Sequence, residues 1–247
     1  MTVPEDARRH GAAGGPDGRT VWLVGLFFGA GPSPTGVLLE SLAVALTNQG
    51  YRVEAVTGRG AYGTGPSNTA SRFGGRVSRL FSGPARGTGV AGRFAAWASF
   101  YVAVVAFAFT RRLPDTVILT TTPPLLHAAF VLRRLATRAP STLILWNQDT
   151  YPEILAAVGM LRADGTLYRA LAAVDRWATR RLDRAVALDR AMAEILTRHG
   201  CREVRVIPNW DAHHDEVTPQ PADDLDRVVA GARDRYRYVV LYSGNYG

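Results

Sequence analysis

Apolar segments of strand length alternate with amphipathic segments of helix length along most of the chain. Short apolar runs favour buried strands, and apolar residues recurring every three or four positions favour helices. Strands are predicted at 20–28, 51–58, 115–121, 141–149, 184–189 and 202–209. Helices are predicted at 36–49, 94–110, 125–138, across 151–182 and at 190–200. This alternation predicts an α/β fold with a doubly wound parallel sheet and right-handed crossovers.

Three segments depart from this alternation. Residues 1–18 are polar and glycine-rich, and we expect them to be disordered. Residues 58–92 contain ten glycines and five arginines, which predicts a mobile functional loop. Residues 94–110 form an apolar run just short of a comfortable membrane span, which favours a buried helix or one lying in the membrane interface. Residues 21–30 resemble a signal-peptide core, but no cleavage pattern follows, so a first strand is favoured.

Composition and charge restrict the possible classes of binding partner, but they say less about the fold. The 247 residues carry a formal net charge of +8, and since the sequence has no lysine, every permanently positive side chain is an arginine, which suits phosphates and carboxylates. Net charge alone allows nucleic acid, an anionic membrane surface or a diphosphate substrate. The arginines near the glycine-rich segment have few aromatic neighbours, so they fit phosphate headgroups better than nucleic acid, and no nucleic-acid partner is predicted. The lone Cys201 excludes an internal disulfide.

The glycine-rich turn after the first strand, FFGAGPSPTG, matches no standard phosphate motif. A dinucleotide fingerprint fails because Pro34 stands where its last glycine belongs. A Walker loop fails because the lysine and hydroxyl residue are missing after Gly31 and Gly36. A narrow loop remains, with a helix starting near Thr35 whose free backbone N–H groups suit an anion or a sugar hydroxyl. A plain strand-to-helix turn is the alternative.

The strongest local candidate is WNQDTYPEI, residues 146–154. Ligands of parallel sheets bind beyond the carboxyl ends of the strands, where Asn147, Gln148 and Asp149 are predicted to lie. Asp149 is expected to hydrogen-bond or deprotonate a substrate hydroxyl, and the alternative is that it caps the next helix. Glu153 is expected to complement the dipole of that helix.

The remaining titratable residues predict no further site. Residues 211–216 are rich in His and acidic side chains, but no second ligand set stands at metal spacing, which favours a solvated linker. No metal site is therefore predicted. His127 lies on an apolar helix and is expected in the core, whereas His199 is expected at the surface.

Six segments, taken in order, carry a family resemblance. They are SPTGVLLESLAVALTNQGYRVEAVTGRGAYGTG, TTTPPLL, WNQDTYPEILAAVGML, DRAVALDRAMAEILTRHG, VRVIPNWD and YVVLYSGNYG. Together they resemble the amino-terminal half of GT-B glycosyltransferases of family four, especially the bacterial group of capsule, O-antigen and exopolysaccharide assembly. The resemblance covers about residues 20–247 and implies a single Rossmann-like lobe of a GT-B fold.

The resemblance also implies a domain plan. A Rossmann-like acceptor-binding domain is expected at 19–208, an interdomain linker at 209–236, and the first strand of a donor-binding domain at 237–247. On this plan the chain is a truncated or split enzyme, and we expect it to be inactive without a donor domain.

The activity implied is that of a retaining glycosyltransferase without metal or cofactor. It would move a sugar from a nucleotide-sugar donor, with UDP expected, to a lipid-linked saccharide or polyprenyl-diphosphate acceptor at the cytoplasmic face of the cell membrane. The alternative is a non-catalytic, membrane-associated module that binds sugars or lipid phosphates.

The resemblance also assigns roles to residues. Asp149 is the expected catalytic residue. Acceptor binding is assigned to Gln148, Tyr151, Tyr62 and Thr122. Donor binding is assigned to Gly31, Thr35, Gly36, Gly244, Asn245 and Gly247. The chain departs from the family at Gln148, where a histidine is usual, and at Asp189, which replaces a serine and is expected to cap the next helix.

Overall fold

A computed structural model of the protein describes residues 18–29, 33–59, 71–83, 89–211 and 224–240. The chain forms two compact units, Met1–Trp210 and Asp211–Gly247. Within the described part of the second unit, helix α7 spans Asp224–Arg235, and residues 236–240 lie outside helices and strands. A strand is predicted at 237–243, at the start of the segment 237–247. Its residues 237–240 have no strand structure, and the rest lies outside the described residues, so the strand stays a prediction.

The described residues of the first unit form one open sheet of seven parallel strands. The strands are β1 Thr20–Val24, β2 Arg52–Gly58, β3 Arg76–Leu80, β4 Thr116–Thr120, β5 Thr142–Trp146, β6 Arg184–Ala187 and β7 Val204–Val206. Their order across the sheet is β3-β2-β1-β4-β5-β6-β7. The order runs outward in both directions from the β1 and β4 pair, which is the switch point of a doubly wound sheet. The predicted fold class is confirmed.

Helices connect these strands. They are α1 Pro34–Asn48, α2 Gly89–Thr110, α3 Leu126–Thr137, α4 Glu153–Ala157, α5 Thr166–Thr179 and α6 Arg190–Arg198. Helix α1 begins two residues before its predicted start because Pro34 suits the first turn of a helix. Gly50, with a φ of 92°, follows the end of α1 in the left-handed conformation that glycine tolerates best.

The core is built on the alternation of side chains along each strand. Trp22 and Val24 face the main apolar cluster, whereas Val21 and Leu23 point to the other face, and all four are buried. The main cluster contains residues of α2 and α3, such as the fully buried Phe100, whereas α1 contacts β2. Burial on both faces explains why the strands read as nearly continuous apolar runs.

Part of the predicted mobile loop is regular structure. Residues 76–80 form the edge strand β3, and residues 89–92 already belong to α2, so the prediction of a loop is wrong for both segments. The sequence RVSRL has a weak apolar pattern because an edge strand is largely exposed. Backbone pairing places this strand beside β2, and Ser78 donates a hydrogen bond of 2.6 Å to Glu54.

Helix α2 buries one face and exposes another. Phe100 and Val104 are buried, while Phe94, Val102 and Phe109 have exposed fractions of 45%, 69% and 45%. Their spacing places these three side chains on one side of the helix. None of the helices among the described residues combines the length and the apolar character that crossing a membrane requires.

Candidate functional site

The carboxyl ends of β2, β1 and β4 are joined by hydrogen bonds that continue beyond the strands. Leu26, just after β1, donates its N–H to the carbonyl of Thr122 at 3.2 Å and accepts a bond of 3.0 Å from the Thr57 hydroxyl. Gly58 also donates its N–H to the Leu26 carbonyl, at 3.1 Å. These bonds build a continuous edge from β2 to Thr122, one of the predicted acceptor residues.

Thr121 fixes the segment that follows β5. Its hydroxyl oxygen accepts two backbone hydrogen bonds, from Gln148 N at 3.2 Å and from Asp149 N at 3.0 Å. Thr121 itself is 5% exposed, so this anchor lies inside the protein. The two predicted residues Gln148 and Asp149 are therefore held at the end of β5 by the neighbouring strand.

Asp149 is a half-buried carboxylate at this edge. Burial raises its pKa above the ordinary value. Burial, and to a smaller extent the negative charge of Asp149, raise the pKa of Tyr151 to about 12. The two side chains therefore interact electrostatically. Helix α4 has Pro152 at its N-cap position and no side-chain cap, so Asp149 does not cap it. Glu153 is the first residue of α4. This position agrees with the prediction that its charge complements the dipole of that helix.

The glycine turn after β1 packs closely against the start of α1. Gly29, with a φ of 94°, donates its N–H to the carbonyl of Gly36 at 3.0 Å. A β-carbon on Gly36 would lie 3.3 Å from the carbonyl oxygen of Gly29. Thr35 is half-buried in the first turn of the helix. Gly36 is therefore needed for the close packing of α1 against the chain that follows β1.

The glycine turn and Asp149 lie on the same edge of the sheet. Strands β1 and β5 flank β4, so their ends are separated by two strand spacings, roughly 10 Å. Five other predicted residues lie outside the described residues: Tyr62, Gly31, Gly244, Asn245 and Gly247. Within the described ranges, no group of three or more His, Cys, Asp or Glu side chains is placed to hold a metal ion.

Comparisons with known proteins agree with this architecture. The family described as glycosyl transferase 4-like domain matches residues 35–210, which include the helix after the glycine turn and the whole Asp149 segment. The chain belongs to this family. No curated protein matches it in sequence.

Solved structures share the fold of this glycosyl transferase 4-like domain. The structure of TcCGT1 in complex with UDP is 11% identical and has a TM-score of 0.52, and the match covers 87% of this chain and 55% of that chain. Sucrose-phosphate synthase from Thermosynechococcus elongatus is 13% identical with a TM-score of 0.47, and the match covers 89% of this chain and 98% of that chain. The lipopolysaccharide outer core galactosyltransferase WaaB in its apo form is 12% identical with a TM-score of 0.44, over 83% and 49% of the two chains.

These likenesses concern the fold alone. The chain spans about half the length of TcCGT1 and WaaB. The architecture is that of one lobe of a GT-B glycosyltransferase, as the sequence resemblance implied.

Two residues after β7 complete the edge of the domain. The amides of Gln148 and Asn209 exchange two hydrogen bonds, of 3.3 and 3.1 Å. Trp210 stacks on Trp146, with ring centroids 5.3 Å apart and an interplanar angle of 5°, and donates its indole N–H to the Ser41 hydroxyl at 3.1 Å. Sequence reasoning assigned no role to these residues, although NW stands in one of the six family-like segments.

Glu40 is a further residue beside the site to which sequence reasoning assigned no role. It is a buried acid on α1, and its carboxylate accepts hydrogen bonds from the Ser71 hydroxyl and from Arg72 N, the latter at 2.9 Å. The same carboxylate lies 3.9 Å from the position a β-carbon on Gly29 would take. Phe73 follows the anchored residues and packs inside the protein. Glu40 therefore holds the segment at 71–73 near the glycine turn.

A cluster of titratable side chains, most of them buried, is in contact with Glu153 of α4. Glu153 Oε1 lies 3.3 Å from His199 Nε2, and His199 Nδ1 lies 2.7 Å from Asp175 Oδ2. His127 Nε2 lies 3.2 Å from the other oxygen of Asp175. The prediction that His199 lies at the surface is wrong, because it is buried against Asp175 and Glu153, whereas His127 is in the core as predicted.

The charges of this cluster stabilise one another. Hydrogen bonds to Asp175 and Glu153 raise the pKa of His199 to about 9. Burial alone would raise the pKa of Asp175, but the facing histidines outweigh burial and hold it below the ordinary value. Nearby, Asp189 caps α6 by accepting a 2.8 Å bond from Met192 N, which confirms its predicted capping role.

Proposed function

We propose that this domain is the acceptor-binding lobe of a retaining glycosyltransferase. In the proposed reaction, a sugar moves from a nucleotide sugar to a lipid-linked saccharide or a polyprenyl-diphosphate acceptor in cell-surface polysaccharide synthesis. The observation that carries this proposal is the half-buried Asp149, held by Thr121 at the carboxyl edge of the sheet. The glycine turn of the same edge completes the site.

The chemistry follows from the two parts of this edge. Asp149 accepts the hydrogen bond of an acceptor hydroxyl and takes its proton as the hydroxyl oxygen bonds to the anomeric carbon on the face that the diphosphate leaves, so that the configuration is retained. The bond from that carbon to the diphosphate breaks, and negative charge develops on the leaving group. The backbone N–H of Thr35, at the start of α1, stabilises this charge. Gln148, Tyr151 and Thr122 border the acceptor hydroxyl.

We propose a UDP-linked donor. The support is the fold, since TcCGT1 is bound to UDP and shares this architecture. Because the likeness covers about half of that chain, the donor and the complete transfer reaction belong to the proposal.

Apolar surface beside the site supports a lipid-linked acceptor. Val158 and Met160, just after α4, and Leu167, in the first turn of α5, have exposed fractions of 62%, 48% and 58%. The exposed guanidinium of Arg162 lies among them in the sequence. A side of the protein that combines apolar and basic groups suits an isoprenoid chain and its phosphates.

The exposed face of α2 supports peripheral membrane contact. Phe94, Val102 and Phe109 are followed by the exposed residues Arg111 and Arg112 at the end of the helix. An apolar stripe with adjacent arginines is typical of a helix that rests in a membrane interface. We therefore propose that the protein works at the cytoplasmic face of the cell membrane.

Calorimetry and a transfer assay test this function. The chain is titrated with a UDP-sugar and with a polyprenyl-diphosphate-linked sugar in detergent, and transfer is followed with a radiolabelled donor. We expect Asp149→Asn to weaken acceptor binding about tenfold, because it removes a charged hydrogen-bond acceptor. The matched control Asp234→Asn changes an exposed aspartate of α7 and should leave binding unchanged. Equal effects of the two substitutions would contradict the assignment of Asp149.

The second candidate is a non-catalytic module that binds sugars or lipid phosphates. It is favoured by the position of Gln148, Asp149, Tyr151 and Thr122 within one lobe, which allows acceptor binding without a donor. Binding of the lipid-linked sugar, with no transfer even after a donor-binding domain is added, would support this module over the transferase.

A further inference from the structure

A cavity lies at the amino-terminal edge of the sheet, opposite the edge that carries the candidate transfer site. Its volume is about 850 Å³, and it is lined by the starts of β1 and β4, by the chain just before β5, and by the chain after α2 and α3. Thr20, Pro114 and Ser141 form part of its walls. None of the predicted site residues lines it, so it is separate from the candidate transfer site.

Arginines dominate the charge of this cavity. Four of them line it: Arg111, Arg112, Arg133 and Arg138. Two acids also line it, but both are already engaged. Glu54 lies 3.3 Å from Arg76 Nε and accepts a bond from Ser78, and Asp115 accepts bonds of 2.7 and 2.8 Å from Thr20.

Arg133 brings a buried positive charge to the cavity. The residue is 8% exposed, and its two hydrogen bonds go to neutral carbonyl oxygens, those of Ala108 at 2.9 Å and Arg111 at 3.1 Å. Its Nη1 has no hydrogen-bond partner, and no carboxylate pairs with it among the described residues. A buried charge without a counter-ion is costly, so an anion beside it stabilises the folded chain.

Two more guanidinium groups are free to bind a ligand. Arg112 and Arg138 are exposed, and in the described part of the chain neither side chain has an ion-pair or hydrogen-bond partner. Arg111 has only a 3.8 Å approach to Glu54. Guanidinium groups bind phosphate oxygens through paired N–H donors. We propose that this cavity binds a phosphate-bearing anion through Arg112, Arg138 and Arg133.

The phosphate has two possible sources, a soluble diphosphate or the headgroup of an anionic phospholipid. The guanidinium of Arg133 lies 5.4 Å from the ring centroid of Phe109, which belongs to the exposed apolar face of α2. A lipid headgroup in the cavity would thus leave its acyl chains beside that face. The site itself does not depend on sugar transfer.

Binding measurements on the full chain separate these sources. The soluble arm titrates inorganic pyrophosphate by calorimetry, and the lipid arm sediments the protein with vesicles of phosphatidylglycerol or of phosphatidylcholine. The test variant carries Arg112→Gln and Arg138→Gln. The control variant carries Arg169→Gln and Arg202→Gln, which remove the same charge from exposed positions outside the cavity.

We expect the test variant to bind its anion at least tenfold more weakly than the control variant. Dependence on the cavity arginines with pyrophosphate alone assigns the site to a soluble anion, and dependence with phosphatidylglycerol vesicles alone assigns it to a lipid headgroup. Equal behaviour of the two variants in both arms overturns the proposal. Asp149→Asn should leave both arms unchanged, so failure here and failure of the transferase proposal are distinguishable.

Discussion

The buried His199 makes the stability of this domain depend on pH in a predictable direction. The pKa of His199 is about 9 in the folded chain, against an ordinary value of 6.5. Protonation therefore favours the folded state. This contribution is present in full below pH 6.5, and it is lost as the pH rises through 9.

The size of the effect follows from that difference in pKa. Each pH unit between the two values changes the free energy of unfolding by about 1.4 kcal/mol, so the whole window is worth of order 3 kcal/mol. The groups that face His199 are Asp175 and Glu153, and Asp175 also faces His127. Because the pKa of Asp175 is lowered, its carboxylate stays charged across this window and the sign does not change.

Urea denaturation at pH 6.5, 7.5, 8.5 and 9.5 measures this dependence. We expect the free energy of unfolding to fall steadily between the first and last of these values, and NMR titration of the His199 imidazole to give an apparent pKa near 9. The variant His199→Gln should lose the slope and be less stable at pH 6.5, since it leaves Asp175 without its charged partner. As a control, Cys201→Ala removes a buried thiol whose pKa burial raises, and it should keep the slope between pH 6.5 and 7.5, below the range in which that thiol contributes.

A flat profile for the unsubstituted chain between pH 6.5 and 9.5 would refute this reasoning. So would an imidazole that titrates near 6.5, because the carboxylates would then not stabilise its charge. If His199→Gln does not fold, the pH profile and the NMR titration of the unsubstituted chain still decide the question.

Two further substitutions test how the edge is built. Thr121→Val keeps the shape of the side chain but leaves two backbone N–H groups unpaired, so unfolding by urea should cost about 1–3 kcal/mol less and calorimetry should show weaker acceptor binding. Gly58→Ala places a β-carbon 2.8 Å from Ser82 Oγ and 2.9 Å from Leu26 Cδ1, so the melting temperature should fall by several degrees. Gly74→Ala, with no atom within 4 Å of its β-carbon, should not lower it by a similar amount.

The fold was largely predictable because its strands are buried on both faces. Such strands read as apolar runs bounded by polar or glycine-rich turns, and most of them are followed by a helix. The strand β3 was not predictable in this way, because an edge strand with two arginines among five residues lacks the apolar pattern. Its place in the sheet comes from backbone pairing with β2, which side-chain periodicity does not record.

The candidate site was predictable to a smaller extent. The rule that ligands lie beyond the carboxyl ends of parallel strands was enough to select Asp149, Gln148 and the glycine turn. The rule does not predict the contacts that hold these residues in place, because those contacts join residues far apart in the sequence. Thr121 is 28 positions from Asp149, and Ser41 is 169 positions from Trp210. A hydroxyl that accepts two backbone bonds looks like any other threonine in a sequence.

The tie between Gln148 and Asn209 affects how an acceptor can bind. The two amides satisfy each other through one N–H and one carbonyl oxygen each, so Gln148 keeps one N–H and part of its carbonyl oxygen for a ligand. An acceptor that needs more must displace Asn209, which is next to Trp210 and its contacts with Trp146 and Ser41. Because a stacked indole and a hydrogen bond hold that segment, displacement is costly. Acceptor recognition in this domain therefore depends on the turn after β7 as well as on the segment after β5.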